Sequence, residues 1–313
     1  MTFEIRYNEP DLLYRKEEGA NQSSLKKILR SPAHFQAALN QKFAPSPAMA
    51  LGTATHALVL DGQKAFEGAY FDRGKEGKDL TVAEIKEALD KKGIEYKKSA
   101  KKADLEDLLW PDGKPVDRRT GLSSEDYAAV LGMAEQLTKL DCYEIGDNAD
   151  YVKRNEVSIY WDWLGVRCKA RLDSLLIADG VIVDLKTTKS TDPREFMRKV
   201  VALGYDFQAA YYAKAAEVAF DKPFKFVFAA VEREAPYDVQ LFEVTPEMMA
   251  QGLAMCEDAL QIYSQCTTSG EWPEPEIQTH RLEYPRWEKP YKRRFAPVKV
   301  ELPIIPSNLD DIF

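Results

Sequence analysis

Residues 169–188, KARLDSLLIADGVIVDLKTT, constrain the fold more than any other stretch of the chain. Two apolar runs, 170–178 and 181–187, flank Asp179-Gly180, a dipeptide suited to the positive φ angles of a two-residue type I′ hairpin turn. With that turn, Asp173 faces Lys186 and Leu175 faces Asp184 on one side of the ribbon, while Val181, Val183 and Leu185 occupy the other. Asp173 and Asp184 then become diagonal neighbours, roughly 7–8 Å apart, a span that carboxylate oxygens can close around a divalent cation.

The grouping has a chemistry. Hard oxygen ligands suit Mg²⁺, which lowers the pKa of bound water and stabilises a crowded phosphate. Lys186, two residues past Asp184, is placed to orient an attacking water or to offset phosphate charge. The same residues also fit a surface hairpin whose acids and lysine form exposed ion pairs. Residues elsewhere decide between the two.

A 313-residue chain with 45% hydrophobic and 30% charged residues can bury a full core, as one large domain carrying an insertion. No apolar run approaches the length of a membrane span and the first residues lack a cleaved-signal pattern, so a cytoplasmic protein is expected. Cys142, Cys168, Cys256 and Cys266 have neither C-x-x-C nor zinc spacing, as expected of reduced thiols. The net charge of −8 excludes a chain coated with nucleic acid but allows a basic channel in an acidic body.

Read in order, residues 22–29 form a helix capped by Ser23 or Ser24, 33–40 a second, and 49–60 a third that carries His56 among small residues. A lone helix histidine is also a common core residue. Residues 79–109 change in character: a Thr81-x-x-Glu84 capping box, a helix with Ile85 and Leu89 inward, a Gly93 stop, an extended 94–96, a lysine cluster and a short helix over 103–109. This order resembles the helix-extended-helix modules of the SAP and LEM type, whose lysines could touch phosphates without sequence preference. Residues 123–141 are an amphipathic helix, 156–163 an alternating strand before the hairpin, and 207–219 a helix that places Gln208 and Tyr212 on one face. A helix from Pro193, strands over 225–231 and 239–244, and a long helix over 246–268 complete an α/β core with a central mixed sheet. Residues 281–299 interleave bases with aromatics as a nucleic-acid-contacting arm does, and 308–313 form an acidic tip resembling the docking peptide of bacterial single-strand-binding proteins.

Six motifs stand in order: Leu51-Gly-Thr-Ala-Thr-His56, Glu156-Val-Ser-Ile-Tyr-Trp161, Cys168-Lys-Ala-Arg-Leu-Asp173, Val183-Asp-Leu-Lys-Thr-Thr188, Gln208-Ala-Ala-Tyr-Tyr212 and Tyr284-Pro-Arg-Trp287. Together they resemble the RecE-type exonucleases (exonuclease VIII) of the PD-(D/E)XK nuclease superfamily, from about residue 22 to 287. The resemblance implies a nuclease core over 1–74 and 114–280, interrupted by the module at 75–113 and followed by the 281–313 arm. It implies His56, Asp173 and Asp184 as metal ligands, joined by the Leu185 carbonyl, with Lys186 as the catalytic lysine and Glu156 at a further acidic position. Gln208, Tyr212, Thr187 and Thr188 would contact DNA. Leu172 stands where the superfamily name has Pro, which supplies no ligand, and Asp184 replaces the commoner Glu.

The implied activity is Mg²⁺-dependent, with Mn²⁺ as a substitute, and digests duplex DNA 5′ to 3′ from a free end. The 3′ tails left behind would go to a single-strand annealing recombinase of the RecT kind. A ring-shaped homo-oligomer, a tetramer, is implied likewise, and alanine at Asp173, Asp184 or Lys186 should abolish cleavage with folding largely intact. The related CRISPR-associated and AddB-type nucleases carry a four-cysteine iron-sulfur cluster whose spacing is absent here. An endonuclease on the same chemistry remains an alternative, as does a non-catalytic DNA-binding protein, which Asp173, Asp184 and Lys186 standing together argue against.

Overall fold

In the computed structural model of the chain, residues 2–40, 46–74, 81–111, 119–140 and 153–281 are described. The arm beyond Arg281, its Tyr284–Trp287 motif, the acidic tip and Cys142 lie outside them. Residues 1–275 form one unit; of the second, 276–313, the described residues have no regular structure.

The chain begins with β1 (Phe3–Arg6), α1 (Asp11–Lys16), α2 (Gln22–Leu25) and, after a 3₁₀ turn, α3 (Pro32–Asn40). Helix α4 (Pro47–His56) runs into a π turn over Ala57–Asp61, followed by α5 (Gln63–Ala69) and β2 (Tyr70–Asp72). Helices α6 (Val82–Lys91) and α7 (Lys102–Leu109) follow, after which come β3 (Thr120–Leu122) and α8 (Ser124–Leu137). Strands β4 (Lys153–Trp163), β5 (Val166–Leu176) and β6 (Val181–Thr188) lead to α9 (Pro193–Leu203) and α10 (Tyr205–Phe220). Strands β7 (Lys225–Glu232) and β8 (Val239–Glu243) and helix α11 (Pro246–Ser269) finish the core.

The expected mixed sheet has the order β1-β4-β5-β6-β7-β8, with β6 and β7 parallel and the other neighbours antiparallel. Each face is covered. Phe207, Ala210 and Tyr211 of α10 and Cys256 and Leu260 of α11 pack with Trp161 and Phe226. On the other face Leu51 and Ala54 of α4 and Val130 and Met133 of α8 pack with Val183, Leu185 and Val231. The second group holds the apolar side expected of β6. Helices α10 and α11 touch at Gly252, where a Cβ would come within 2.4 Å of the Asp206 carbonyl oxygen and 2.9 Å of Ala210 Cβ. Gly252→Ala is therefore expected to destabilise the protein by about 1–3 kcal/mol, read as a lower denaturation midpoint at unchanged slope.

Four details differ from expectation. The tip of the β5–β6 hairpin takes four residues, because Leu176 pairs with Val181. A type I′ turn needs positive φ at both central residues, and of Asp179 and Gly180 only Gly180 has it, at +65°. Lys222 donates to the Ile177 and Ala178 carbonyls, holding this wider turn. The register shifts by two, which preserves the faces; one step beyond the Ser174–Val183 pair, Asp173 comes level with Asp184 in place of Lys186. Second, the α2 cap is Asn21, whose carboxamide oxygen accepts from the Ser24 N–H, so neither serine caps. Third, β1 pairs along β4, although its four residues gave no strand signal. Fourth, β2 and β3, on either side of α6 and α7 in the chain, pair in parallel.

Within residues 81–111 the Thr81–Glu84 capping box forms, and Ile85, Leu89, Leu105 and Leu109 make a separate apolar cluster. Cys168, Cys256 and Cys266 are free and buried. Among the described residues no helix is long and apolar enough to cross a membrane.

Candidate active site

The backbone ladder between β5 and β6 covers three pairs and stops at Ser174–Val183, so the two strands form a fork. Asp173, the first residue past the ladder, replaces a backbone acceptor with its own side chain: Oδ2 accepts from the Leu185 N–H at 2.8 Å. Its carboxyl is thereby fixed in the fork.

Helix α4 brings His56 to the same place. Ser46 caps its start, accepting from the Met49 N–H, and Gly52 lets it approach β6, since a Cβ there would sit 3.0 Å from Thr187 Oγ1. His56 ends the α-helical part, immediately before the π turn, a feature common at functional sites. Nε2 lies 3.0 Å from the Leu185 carbonyl oxygen and Nδ1 lies 3.6 Å from Asp173 Oδ2. Burial, aided by the Lys186 charge, pushes the imidazole down to about 4, so it is neutral at pH 7. A neutral ring that donates from Nε2 to the Leu185 carbonyl has an acceptor at Nδ1. Two acceptors, Nδ1 and Oδ2, then face each other.

Glu156 completes the group. The β4–β5 ladder passes through Asn155–Ser174 and Val157–Leu172 without pairing Glu156 with Asp173, and Glu156 has φ +50°. Such a conformation is rare outside glycine and costs free energy that its surroundings must supply. The Arg171 guanidinium does so in part, pairing with the Glu156 carboxylate, donating to the Glu9 carbonyl at 2.7 Å and lying 3.6 Å from Asp11. Burial, then the Asp173 charge, raises Glu156 to about 7. His56, Glu156 and Asp173 each offer a ligand atom within 4.8 Å of the others. Facing acceptors, two acids and a neutral imidazole make a donor set that fits a divalent cation.

Asp184 is engaged otherwise. It is 1% exposed, so the exposed-ion-pair reading of the hairpin fails. Oδ1 accepts from Gln208 Nε2 at 2.8 Å and Oδ2 pairs with the Lys186 ammonium. Burial raises Asp184 to about 6 despite Lys186. Burial alone would lower Lys186, but Asp184 and Asp173 outweigh it and hold the ammonium above its ordinary range. The ammonium also lies 4.8 Å from the Tyr205 ring centre.

The residues expected at DNA divide into two kinds. Thr187 lines a cleft of about 730 Å³ together with His56, Glu156 and Lys186. Tyr212 lines an adjoining cavity of about 300 Å³ with Gln22, Lys169 and Arg171. Gln208 is instead buried against Asp184, and Thr188 is buried with its hydroxyl donating to the Ser190 carbonyl. Gln208 therefore acts on the carboxylate. Arg171 received no role from the sequence, although its place two residues before Asp173, on the same face of β5, was the available signal.

A mixed sheet with helices on both faces, and a central fork carrying Asp173, Asp184 and Lys186, defines the PD-(D/E)XK nuclease fold. Residues 21–283 match the family described as "PDDEXK-like domain of unknown function (DUF3799)", and the chain belongs to that family. A crystal structure from Eubacterium rectale, provisionally described as an exonuclease, is similar with a TM-score of 0.52 at 15% identity, covering 87% of this chain and 97% of that one. That likeness is one of fold. The structure of SSO0001 matches at 13% identity over 58% of this chain and 87% of its own, with a TM-score of 0.26. Protein VC1899 from Vibrio cholerae matches at 10% identity over 85% and 58%, with a TM-score of 0.18. No curated protein matches the chain.

Proposed function

We propose that the protein is a metal-dependent exonuclease acting on duplex DNA. The observation that carries the reading is the fork itself: a neutral histidine and two carboxylates within 4.8 Å, beside a buried aspartate that positions a lysine. His56, Glu156 and Asp173 would hold the cation, Mg²⁺ or Mn²⁺, with Asp184 next to them. The bound cation supplies Lewis-acid stabilisation of a phosphoryl oxygen and a water of lowered pKa. Lys186, held charged by Asp184, offsets charge on the scissile phosphate and orients the water. Gln208 fixes Asp184 through Oδ1, and Arg171 fixes Glu156.

Resemblance to the RecE-type enzymes supports the finer reading: 5′-to-3′ digestion from an end, a tetrameric ring around DNA, and transfer of the 3′ tail to an annealing recombinase in the cytoplasm. Linear duplex labelled separately at its 5′ and 3′ ends tests it, with a closed circle as control. Mg²⁺-dependent loss of 5′ label, with circles spared, is expected. Cleaved circles would make the protein an endonuclease on the same site, and intact DNA throughout would contradict the nuclease reading.

A further inference from the structure

Along β6 the chemistry changes sign. Leu185 meets His56 and Asp173, Lys186 follows, and the next two residues hold Lys199 by its ammonium and Arg233 by its backbone. The Thr187 carbonyl accepts from Lys199 Nζ at 2.9 Å, and the Thr188 carbonyl accepts from the Arg233 backbone N–H at 3.0 Å. Both side chains line the same cleft as His56 and Glu156. From Leu185 to Thr187 the strand advances roughly 7 Å, so the Lys199 ammonium is held past the acidic cluster and not within it.

The other cations of this cleft are neutralised. Arg15 pairs with Asp11 at 2.6 Å, Arg171 with Glu156, and Lys186 with Asp184. Among the described residues Lys199 and Arg233 have no carboxylate within ion-pair distance, and both are half-buried. Burial, followed by the charges of Arg233 and Lys186, holds the Lys199 ammonium below the usual lysine range. Like charges gathered in a partly desolvated cleft remain unfavourable until an anion joins them.

We propose that Lys199 and Arg233 hold the phosphodiester adjacent to the one that is cut, gripping the substrate strand by its backbone. This rests on the nuclease reading for the identity of the anion. Phosphate contacts position a strand without reading its sequence, so the pair would serve every substrate equally.

The test compares full-length wild type with Arg233→Ala, Lys199→Gln, Lys199→Arg and the double variant Lys199→Gln/Arg233→Ala. Binding of a fluorescein-labelled DNA oligonucleotide is followed by anisotropy in EDTA across a range of KCl. Each lost contact is expected to reduce the slope of log Kd against log salt by about 0.7–0.9, and the double variant by about twice that, with Lys199→Arg close to wild type. With Mg²⁺, KM should rise while kcat stays within about threefold. A wild-type slope in folded Arg233→Ala, whose side chain makes no hydrogen bond to the described residues, would overturn the assignment. So would a fall in kcat at constant KM. The two readings fail separately: reduced slopes in a protein that cuts nothing keep the phosphate pair and remove the nuclease, whereas cleavage with unchanged slopes does the reverse.

Discussion

Asp173→Asn is expected to lower Mg²⁺-dependent cleavage by about 10³-fold or more, several kcal/mol of transition-state stabilisation, while raising the thermal stability of the metal-free protein at pH 8. The loss follows from removing one of two carboxylates in the His56, Glu156 and Asp173 group. The gain follows from the same electrostatics. The asparagine oxygen can still accept from the Leu185 N–H, and a charge that raises both Glu156 and Asp184 is gone. A gain on the order of 1 kcal/mol corresponds to roughly 1–2 °C in Tm for a chain of this size.

The pH dependence identifies the cause. Glu156 and Asp184, at about 7 and about 6, hold protons more tightly folded than unfolded. Their contribution is favourable at low pH and is lost as pH rises through those values. His56, lowered to about 4, works in the opposite sense: its contribution grows from about pH 4 to its ordinary value of 6.5 and is flat above it. Between pH 6.5 and 8 the metal-free wild type should therefore lose stability, chiefly through Glu156, and Asp173→Asn should lose less. Added Mg²⁺ should reverse the ranking, because only the wild type gains binding free energy from it. Calorimetry of both proteins at pH 6 and 8, with and without Mg²⁺, reads all of this.

Lys186→Met is expected to be the most damaging single change, abolishing cleavage and destabilising the fold by about 3–5 kcal/mol at pH 8, because it leaves a buried carboxylate without its partner. Asp184 is 1% exposed, and its other hydrogen-bond partner among the described residues is the carboxamide of Gln208. Below pH 6 the cost should shrink as Asp184 takes a proton. Asp184→Asn combined with Lys186→Met should recover most of the stability and none of the activity, since replacing both members of a buried pair is far less costly than replacing one. Urea denaturation of wild type and the two variants at pH 5.5 and 8 checks this. The sequence alone leads one to expect an intact fold in a lysine variant; the burial of the Asp184–Lys186 pair leads to the opposite expectation, which the denaturation experiment decides.

Local signals carried much of this fold. Alternation placed Asp173, Asp184 and Lys186 on the correct face, and the helices at α4, α8, α10 and α11 were visible from spacing and caps. What escaped depended on contacts between distant residues. The hairpin register was missed by two because Lys222, forty-odd residues away, stabilises a wider turn than Asp179-Gly180 alone would choose. Glu156 was legible as an acid, yet its place beside His56 and Asp173 comes from a backbone at φ +50° and an Arg171 bond. Gln208 was legible as a polar residue in an apolar helix; only the packing of α10 on β6 turns it toward Asp184. Lys199 and Arg233 belong to different elements and come to one cleft through the Thr187 and Thr188 carbonyls, which hold the ammonium of the first and the backbone of the second.

The most direct measurement is digestion of linear duplex DNA by wild type and Asp173→Asn, purified in parallel, with Mg²⁺ or with EDTA. Cleavage by the wild type in Mg²⁺ alone, and none by the variant although it melts no lower, is the predicted result. Equal cleavage by the two proteins, or cleavage that survives EDTA, would contradict a metal-dependent nuclease centred on the β5–β6 fork.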